Sequence, residues 1–254
     1  MPDLPGDESW DDLILGGLKI IQPRSGYRFS IDAVLLAHFP DLYDGMQVFD
    51  LGTGSGVIAL LLAYRHKGIH ITGLDIQEQM VDRARRSVQY NKLEKRITII
   101  KADINQVTGY WPPAQADLVV CNPPFWKKGQ GKVSLDPEQA VARHELKVTL
   151  PAILQAGAHL LKTGGRLAMV LPARRLTELF SELAPVGLKP VRLRMIHPTI
   201  DREAGHFLIE AGKGTRGEMT IMPPLIIYER AGVYTQEIQH LYERSPGEER
   251  SQDG

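Results

Sequence analysis

Residues 47–63 read QVFDLGTGSGVIALLLA, an apolar run that ends in an acid, then a glycine-spaced loop, then a second apolar run. Glycines let the chain turn tightly after a strand and let a ligand approach the backbone. The N-terminus of a helix that follows such a loop favours a negatively charged group. The stretch therefore predicts a strand, a loop and a buried helix of an α/β fold, arranged around a ligand.

The glycines alone leave the kind of ligand open. A frame that starts at Gly52 fails the G-x-G-x-x-G pattern, because Val57 takes its last place. The frame of Gly54, Gly56 and Ala59 does fit G-x-G-x-x-A, which is typical of dinucleotide-binding folds. A single match of this kind is weak, so a dinucleotide is not excluded at this point.

Polar residues at the ends of the predicted strands narrow the choice. Three more strands are predicted, at residues 69–76, 96–104 and 117–121. They end at Asp75, near Asp103 and at Asn122, as the first strand ends at Asp50. Ligands of open parallel sheets bind beyond the carboxyl ends of the strands, and an acid at Asp75 suits ribose hydroxyls. Asp103 is placed to accept from an adenine amino group, with a solvent-exposed acid as the alternative.

The sequence NPPF at residues 122–125 is hard to explain as a turn alone. Pro123 restricts Asn122 to an extended conformation, and neither Pro123 nor Pro124 donates a backbone hydrogen bond. The side-chain oxygen of Asn122 and the carbonyl of Pro123 then form a rigid pair of acceptors beside Phe125. Such a pair suits a planar amino group held by its hydrogens, with its ring stacked on the aromatic face. A nucleobase with an exocyclic amine fits; an ordinary strand-ending turn is the alternative.

With these motifs together, the chain resembles the class I S-adenosylmethionine-dependent methyltransferases over nearly its whole length. DLGTGSG at 50–56, the two acids Asp75 and Asp103, and NPPF at 122–125 fall in the order and spacing of that family. The resemblance implies a seven-stranded, mostly parallel Rossmann-like α/β sheet with helices on both faces and an antiparallel last strand. It also implies S-adenosylmethionine as the cofactor.

The resemblance also implies roles for individual residues. In amino-group methyltransferases with this order of motifs, a segment before the glycine loop covers the cofactor. The expected cofactor-binding residues, including that segment, are Tyr27, Arg28, Phe29, Asp50, Gly52, Thr53, Gly54, Gly56, Asp75, Ile76, Asp103, Ile104 and Asn122. The expected catalytic residues are Asn122, Pro123 and Phe125. Phe125 and the basic loop that follows it, with Trp126, Lys127 and Lys128, are expected to bind the substrate.

Flanking strings give a narrower resemblance, to bacterial tRNA adenine-N6 methyltransferases that modify the adenine 3′ of the anticodon in a valine tRNA. They are GYRFSIDAVLL at 26–36, ARHE at 142–145 and YTQEIQ at 234–239. Protein glutamine-N5 methyltransferases acting on release factors and ribosomal RNA guanine-N2 methyltransferases share the Asn-Pro-Pro-aromatic motif. They remain alternatives, as does a cofactor-binding protein without activity.

Composition sets broader limits. The 254 residues carry no formal net charge and are 43% hydrophobic, which favours one α/β domain. We expect an N-terminal extension with the covering segment at 1–46, the methyltransferase domain at 47–242, and a disordered tail at 243–254.

Charge and cysteine usage bear on partners and location. A single cysteine excludes an intramolecular disulfide and argues against a Cys-rich zinc site, so no metal and a cytoplasmic location are expected. No apolar run approaches a membrane span, and the N-terminus is acidic. Residues 127–216 hold fifteen Lys and Arg against eight Asp and Glu. This excess suits RNA, and tRNA in particular, as the partner; neither DNA nor a protein partner is implied.

Overall fold

The computed structural model describes residues 3–13, 15–25, 28, 30–123 and 148–243. Its strands are β1 (Glu8–Asp12), β2 (Lys19–Pro23), β3 (Gln47–Leu51), β4 (His70–Asp75), β5 (Ile97–Lys101), β6 (Ala116–Cys121), β7 (Leu161–Pro172), β8 (Leu188–His197), β9 (His206–Lys213), β10 (Thr220–Ile221), β11 (Leu225–Ile226), β12 (Tyr228–Arg230) and β13 (Val233–Tyr234). Its helices are α1 (Ile31–His38), α2 (Val57–Arg65), α3 (Glu78–Tyr90), α4 (Val107–Tyr110), α5 (Leu150–Leu160), α6 (Leu176–Leu183) and α7 (Gln236–Glu243).

The large sheet has the strand order β10-β8-β9-β7-β6-β3-β4-β5, and β11 also pairs with β8. Within this sheet β9 alone runs antiparallel to its neighbours β7 and β8. The predicted seven-stranded, mostly parallel sheet is therefore confirmed, and the short strands β10 and β11 extend its edge beyond the prediction. The strand order reverses between β3 and β6. Strands β4 and β5 are added on one side of β3, and the chain then crosses back to place β6 on the other side. Ligands of such sheets bind at this point.

The strands carry apolar side chains on both faces of the sheet, which explains why helices cover both faces. Val48 and Phe49 point to opposite faces, as successive strand residues must. The face of Val48 packs against α1, α2, α3 and α7, and the face of Phe49 packs against α5 and α6. Helix α2 is buried on every side from Val57 to Ala63, which accounts for its continuous apolar run.

An N-terminal hairpin was not predicted from the sequence. Strands β1 and β2 pair antiparallel and lie against α3. Glu8 accepts from Arg83 Nε at 2.9 Å and from Arg86 Nη2 at 2.7 Å, and hydrogen bonding from Arg86 lowers the pKa of Glu8. Ser87 Oγ accepts from the Ile21 backbone at 2.9 Å. The hairpin depends on partners far away in sequence, which a local pattern does not reveal.

The expected N-terminal extension is part of the same body, since Leu15, Ile20 and Leu36 belong to the apolar cluster that covers one face of the sheet. Helix α7 continues through Glu243, so the first residue of the expected tail is helical. Residues 244–254 lie outside the described part, and the domain boundaries stay predictions. Among the described residues, no helix is both long enough and apolar enough for a membrane span.

Candidate functional site

Predicted site residues in the described part of the chain, from the glycine loop, Asp75 and Asn122, lie at the carboxyl edge of the sheet. The register pairs Leu51 at the end of β3 with Leu74 of β4 on one side and with Cys121 of β6 on the other. The glycine loop at 52–56 therefore leaves the sheet between Asp75 and Asn122. The loop and two residues far from it along the chain therefore meet at the edge where the sequence predicted the polar strand ends.

The glycine loop has the backbone conformation that only glycine adopts easily. Gly52, Gly54 and Gly56 have φ angles of +74°, +56° and +88°. A Cβ built at Gly52 or Gly54 would meet no atom within 4 Å, so the backbone there faces open space. At Gly56 the Cβ would lie 3.3 Å from that of Ala84, so this glycine also allows α2 and α3 to pack closely.

Asp75 is fixed by the backbone around it. Its Oδ2 accepts from the Gly54 N–H and its Oδ1 from the Gln77 N–H, both at 2.9 Å. Burial raises the pKa of Asp75, and these hydrogen bonds oppose the rise. Each carboxylate oxygen has a further lone pair. The carboxylate can therefore accept from a ligand's hydroxyl groups while it holds the loop to the start of α3, beside the half-buried Ile76.

The side chain of Asp103 stabilises a local turn. Strand β5 ends at Lys101, earlier than the predicted 104, and Asp103 Oδ1 accepts from the backbone and side-chain amides of Asn105 at 2.9 and 2.8 Å. These bonds cap a short turn that begins at the buried Ile104. The other carboxylate oxygen, Oδ2, takes no part in this cap, so an adenine contact through that oxygen stays a prediction.

Asp50 lies beneath the loop rather than in it. The residue is completely buried, its Oδ2 accepts from Thr53 Oγ1 at 2.6 Å, and desolvation raises its pKa to about 7. Its Oδ1 has no hydrogen-bond partner in the described part of the chain. A buried carboxyl offers a bound molecule no surface in this conformation, so Asp50 would act on a cofactor through Thr53.

Asn122 lies directly after β6, where the sequence placed it, and its catalytic role stays a prediction. Its Oδ1 is buried with no hydrogen-bond partner among the residues that the structure describes. Pro123 beside it is buried. An unsatisfied buried acceptor costs about 1–3 kcal/mol, a cost that is typical of a group kept for a ligand. Pro124, Phe125, Trp126, Lys127 and Lys128 lie outside the described residues.

The segment expected to cover the cofactor is described in part. Tyr27 and Phe29 lie outside the described residues, whereas Arg28 is half-exposed and forms an ion pair with Asp11. The segment starts at the end of β2, on the α3 side of the glycine loop. It ends at α1, where Asp32 lies 4.0 Å from His206 at the start of β9.

Some parts of the site were not predicted from the sequence. The bond between Gly54 and Asp75 spans 21 positions, and the hydroxyl of Thr53 is turned down onto Asp50. An acid that ends a strand followed by a small hydroxyl residue is the signal that could have suggested the second contact. The open glycine backbone, the lone pairs of Asp75 and the unsatisfied oxygen of Asn122 are donor and acceptor types that fit S-adenosylmethionine beside an amine.

Comparison with known proteins identifies the family of this chain. The family model for the methyltransferase small domain matches residues 31–183. A tRNA1(Val) (adenine(37)-N6)-methyltransferase of Aeromonas salmonicida is 30% identical over 219 residues, covering 84% of this chain and 87% of the relative. The enzyme of that name from Vibrio parahaemolyticus is 31% identical over 192 residues, covering 75% and 77%.

Solved structures share the fold. A predicted O-methyltransferase from Agrobacterium tumefaciens matches with a TM-score of 0.69 at 21% identity, over 87% of this chain and 100% of that one. An S-adenosylmethionine-dependent O-methyltransferase from Thermotoga maritima matches at 0.54 and 20% identity, over 77% and 69%. The family match spans the glycine loop, Asp75 and Asn122. The chain therefore belongs to the methyltransferase small domain family and is an S-adenosylmethionine-dependent methyltransferase.

Proposed function

We propose that this enzyme methylates the exocyclic N6 amine of an adenine in tRNA, at the position 3′ of the anticodon, with a valine tRNA as the specific target. The observation that carries the proposal is the buried, unsatisfied Oδ1 of Asn122 next to the glycine loop. The relatives of Aeromonas and Vibrio, which carry that activity in their names, support the choice of acceptor.

Asn122 and Pro123 act on the amine directly. An adenine amine is a poor nucleophile because its lone pair is delocalised into the ring. Acceptance of its hydrogens by Asn122 Oδ1 and the Pro123 carbonyl draws the nitrogen towards tetrahedral geometry and frees that lone pair. The methyl–sulfur bond would break as the nitrogen–methyl bond forms, and the proton lost from the nitrogen would pass to water. The two residues therefore need no acid–base change of their own, and the reaction depends mainly on orientation and proximity.

The glycine loop and Asp75 hold the cofactor. S-adenosylmethionine supplies an electrophilic methyl group on a sulfonium. The open backbone at Gly52 and Gly54 receives its methionine part, and Asp75 accepts from the ribose hydroxyls. The segment with Tyr27, Arg28 and Phe29 covers the cofactor, and Ile76, Asp103 and Ile104 flank the adenine.

Features of the substrate follow from the same residues. Stacking on Phe125 is worth roughly 1–3 kcal/mol per base. A base in an anticodon loop is already unpaired, which avoids most of the cost of flipping it out of a helix. A tRNA partner also fits a cytoplasmic location. Attack on a pyrimidine by Cys121 is disfavoured, because burial raises the pKa of its thiol.

The test is transfer of labelled methyl from S-adenosylmethionine to tRNA from cells that lack the modification, followed by nucleoside analysis. We expect label in N6-methyladenosine, and mapping of the product to the base 3′ of the valine anticodon. Purified release factor and ribosomal RNA serve as competing substrates. Label on a glutamine side chain or in N2-methylguanosine, with none in adenosine, would overturn the proposed acceptor and leave the cofactor site unaffected.

A further inference from the structure

A column of three tyrosine rings stands on the same edge of the sheet as Asn122. The rings of Tyr228 and Tyr234 stack with centroids 5.1 Å apart and planes 13° from parallel. Tyr242 continues the column at 6.1 Å and 27° from Tyr234. Tyr234 and Tyr242 pack against the apolar core, which makes Tyr228 the outermost ring. Tyr234 also begins the string YTQEIQ, which the transfer chemistry does not use.

Backbone hydrogen bonds connect this column to the carboxyl end of β7, which is the neighbour of β6 in the sheet. After β7, the Ala173 N–H donates to Gly205 in the loop between β8 and β9 at 2.9 Å, and Gly205 donates to Ile196 at 3.0 Å. Tyr228 in turn donates from its backbone to Pro198 of that loop at 2.8 Å. Strand β8 lies three strands from β6, and Tyr228 lies beyond β8 on the side where β11 pairs, about 19 Å from β6 at the usual strand spacing. Tyr228 is therefore within a few nucleotides of a base held at Asn122.

The surroundings of Tyr228 favour contact with a base over contact with phosphate. Ile200 in the adjoining loop is 77% exposed. Arg202 and Arg230 are exposed there, but so are three acids, Asp201, Glu203 and Glu229, which outnumber them. A surface with one excess acid does not attract a phosphate backbone. An aromatic ring beside an exposed apolar side chain can still stack a base of any identity.

We propose that the rim formed by Ile200 and the column Tyr228–Tyr234–Tyr242 binds an unpaired base of the RNA strand that flanks the target adenine. This inference rests on the proposed function and extends its substrate surface. The flanking base stacks on Tyr228 as a fourth member of the column, and Ile200 covers its edge. Because stacking is tolerant of sequence, the rim contributes affinity and register, whereas the target base is selected at Asn122.

The experiment compares variants on an anticodon stem-loop RNA that carries the target adenine. Tyr228→Leu keeps apolar bulk and removes the stacking ring, and Ile200→Ser changes a side chain exposed enough to leave folding intact. The matched control is Tyr43→Ala, because Tyr43 is 56% exposed and lies before β3, at the opposite edge of the sheet. We expect Tyr228→Leu to raise the KM for RNA about tenfold, and Ile200→Ser a few-fold, with kcat and the cofactor Kd unchanged.

A spectroscopic readout separates stacking from a structural role. With 2-aminopurine at successive positions around the target, wild type should quench one flanking position, and Tyr228→Leu should not. The slope of affinity against salt should stay the same, because no phosphate contact is removed. If the wild type methylates adenine, but neither Tyr228→Leu nor Ile200→Ser changes the KM and no position is quenched, the proposed rim is wrong and the proposed function stands. Absence of wild-type transfer to adenine would overturn the proposed function, and the rim with it.

Discussion

The carboxyl edge of the sheet has two halves that differ in how their polar groups are satisfied. In the glycine-loop half, from β3 to β5, both oxygens of Asp75 accept backbone hydrogen bonds and Asp103 caps a turn. The unsatisfied oxygen of this half, Oδ1 of Asp50, is completely buried beneath the loop and does not face a ligand. In the acceptor half, from β6 to β8, the oxygen of Asn122 has no partner in the described ranges. The first half is organised before any ligand arrives. The second keeps one hydrogen bond unmade, which is the condition expected of a group that selects its substrate by completing that bond.

The largest effect should follow from removing the unsatisfied acceptor. In Asn122→Ala the amine loses the group that orients it, and we expect transfer at saturating cofactor to fall at least about a hundredfold. Single-turnover methyl transfer to tRNA measures this rate. Retention of more than a tenth of the wild-type rate would remove Asn122 from the transfer step.

Asp75 belongs to the other half and should affect the cofactor first. Asp75→Ala removes a carboxylate that holds both the loop and the expected ribose contact, so the cofactor Kd should rise roughly tenfold to a hundredfold. Calorimetric titration of S-adenosylmethionine gives this value. Asp103→Ala is the matched control, and its effect should be smaller because Asp103 holds only a local turn, whereas Asp75 also holds the glycine loop through Gly54. An equal rise in both variants would contradict the difference drawn between the two acids.

The buried Asp50 beneath the loop should make stability depend on pH. Its folded pKa of about 7 lies above the ordinary value of 3.8, so its contribution is fully present below pH 3.8 and is lost as pH rises through 7. Asp50→Asn can still accept from Thr53 but cannot ionise. We expect wild type to lose about 1 kcal/mol of unfolding free energy per pH unit, relative to the variant, between pH 5 and 6. Urea unfolding at the two pH values tests this; parallel losses in both proteins would contradict it.

The smallest effect should come from the basic loop of the acceptor half. Removing the charges of Lys127 and Lys128 should raise the KM for RNA a few-fold and lower the slope of log affinity against log salt by roughly one for each phosphate that is no longer neutralised. The control variant is Lys92→Ala with Lys95→Ala, which removes the same charge from the exposed connection between α3 and β5. Equal slopes in both double variants would leave the loop without a role in RNA binding.

Sequence patterns predicted the strands around the site better than the hydrogen bonds within it. The ends of three strands, at Leu51, Asp75 and Cys121, were predicted to within one residue, because an apolar run that stops beside a polar residue reports the edge of a parallel sheet. Strand β5 was predicted three residues too long, because Asp103 leaves the sheet to cap a turn. The hydrogen bond from Thr53 to Asp50 depends on side-chain direction, which the apolar pattern does not encode.

Features built from distant parts of the chain could not be predicted in the same way. The hairpin of β1 and β2 is held by Glu8 on Arg83, 75 positions away. The tyrosine column joins two short strands and a helix, and the helix has a low apolar content. The geometry of the column depends on the pairing of β8 with β11. In both cases the stabilising partner is remote, so local propensity carries little information.

The claim that the two halves hold different molecules is tested most directly by titrating S-adenosylmethionine into Asn122→Ala beside Asp75→Ala. We expect Asn122→Ala to bind the cofactor within about threefold of wild type, although it no longer transfers methyl at a useful rate, while Asp75→Ala binds it at least about tenfold more weakly. A loss of cofactor affinity in Asn122→Ala as large as that in Asp75→Ala would contradict the division of the edge.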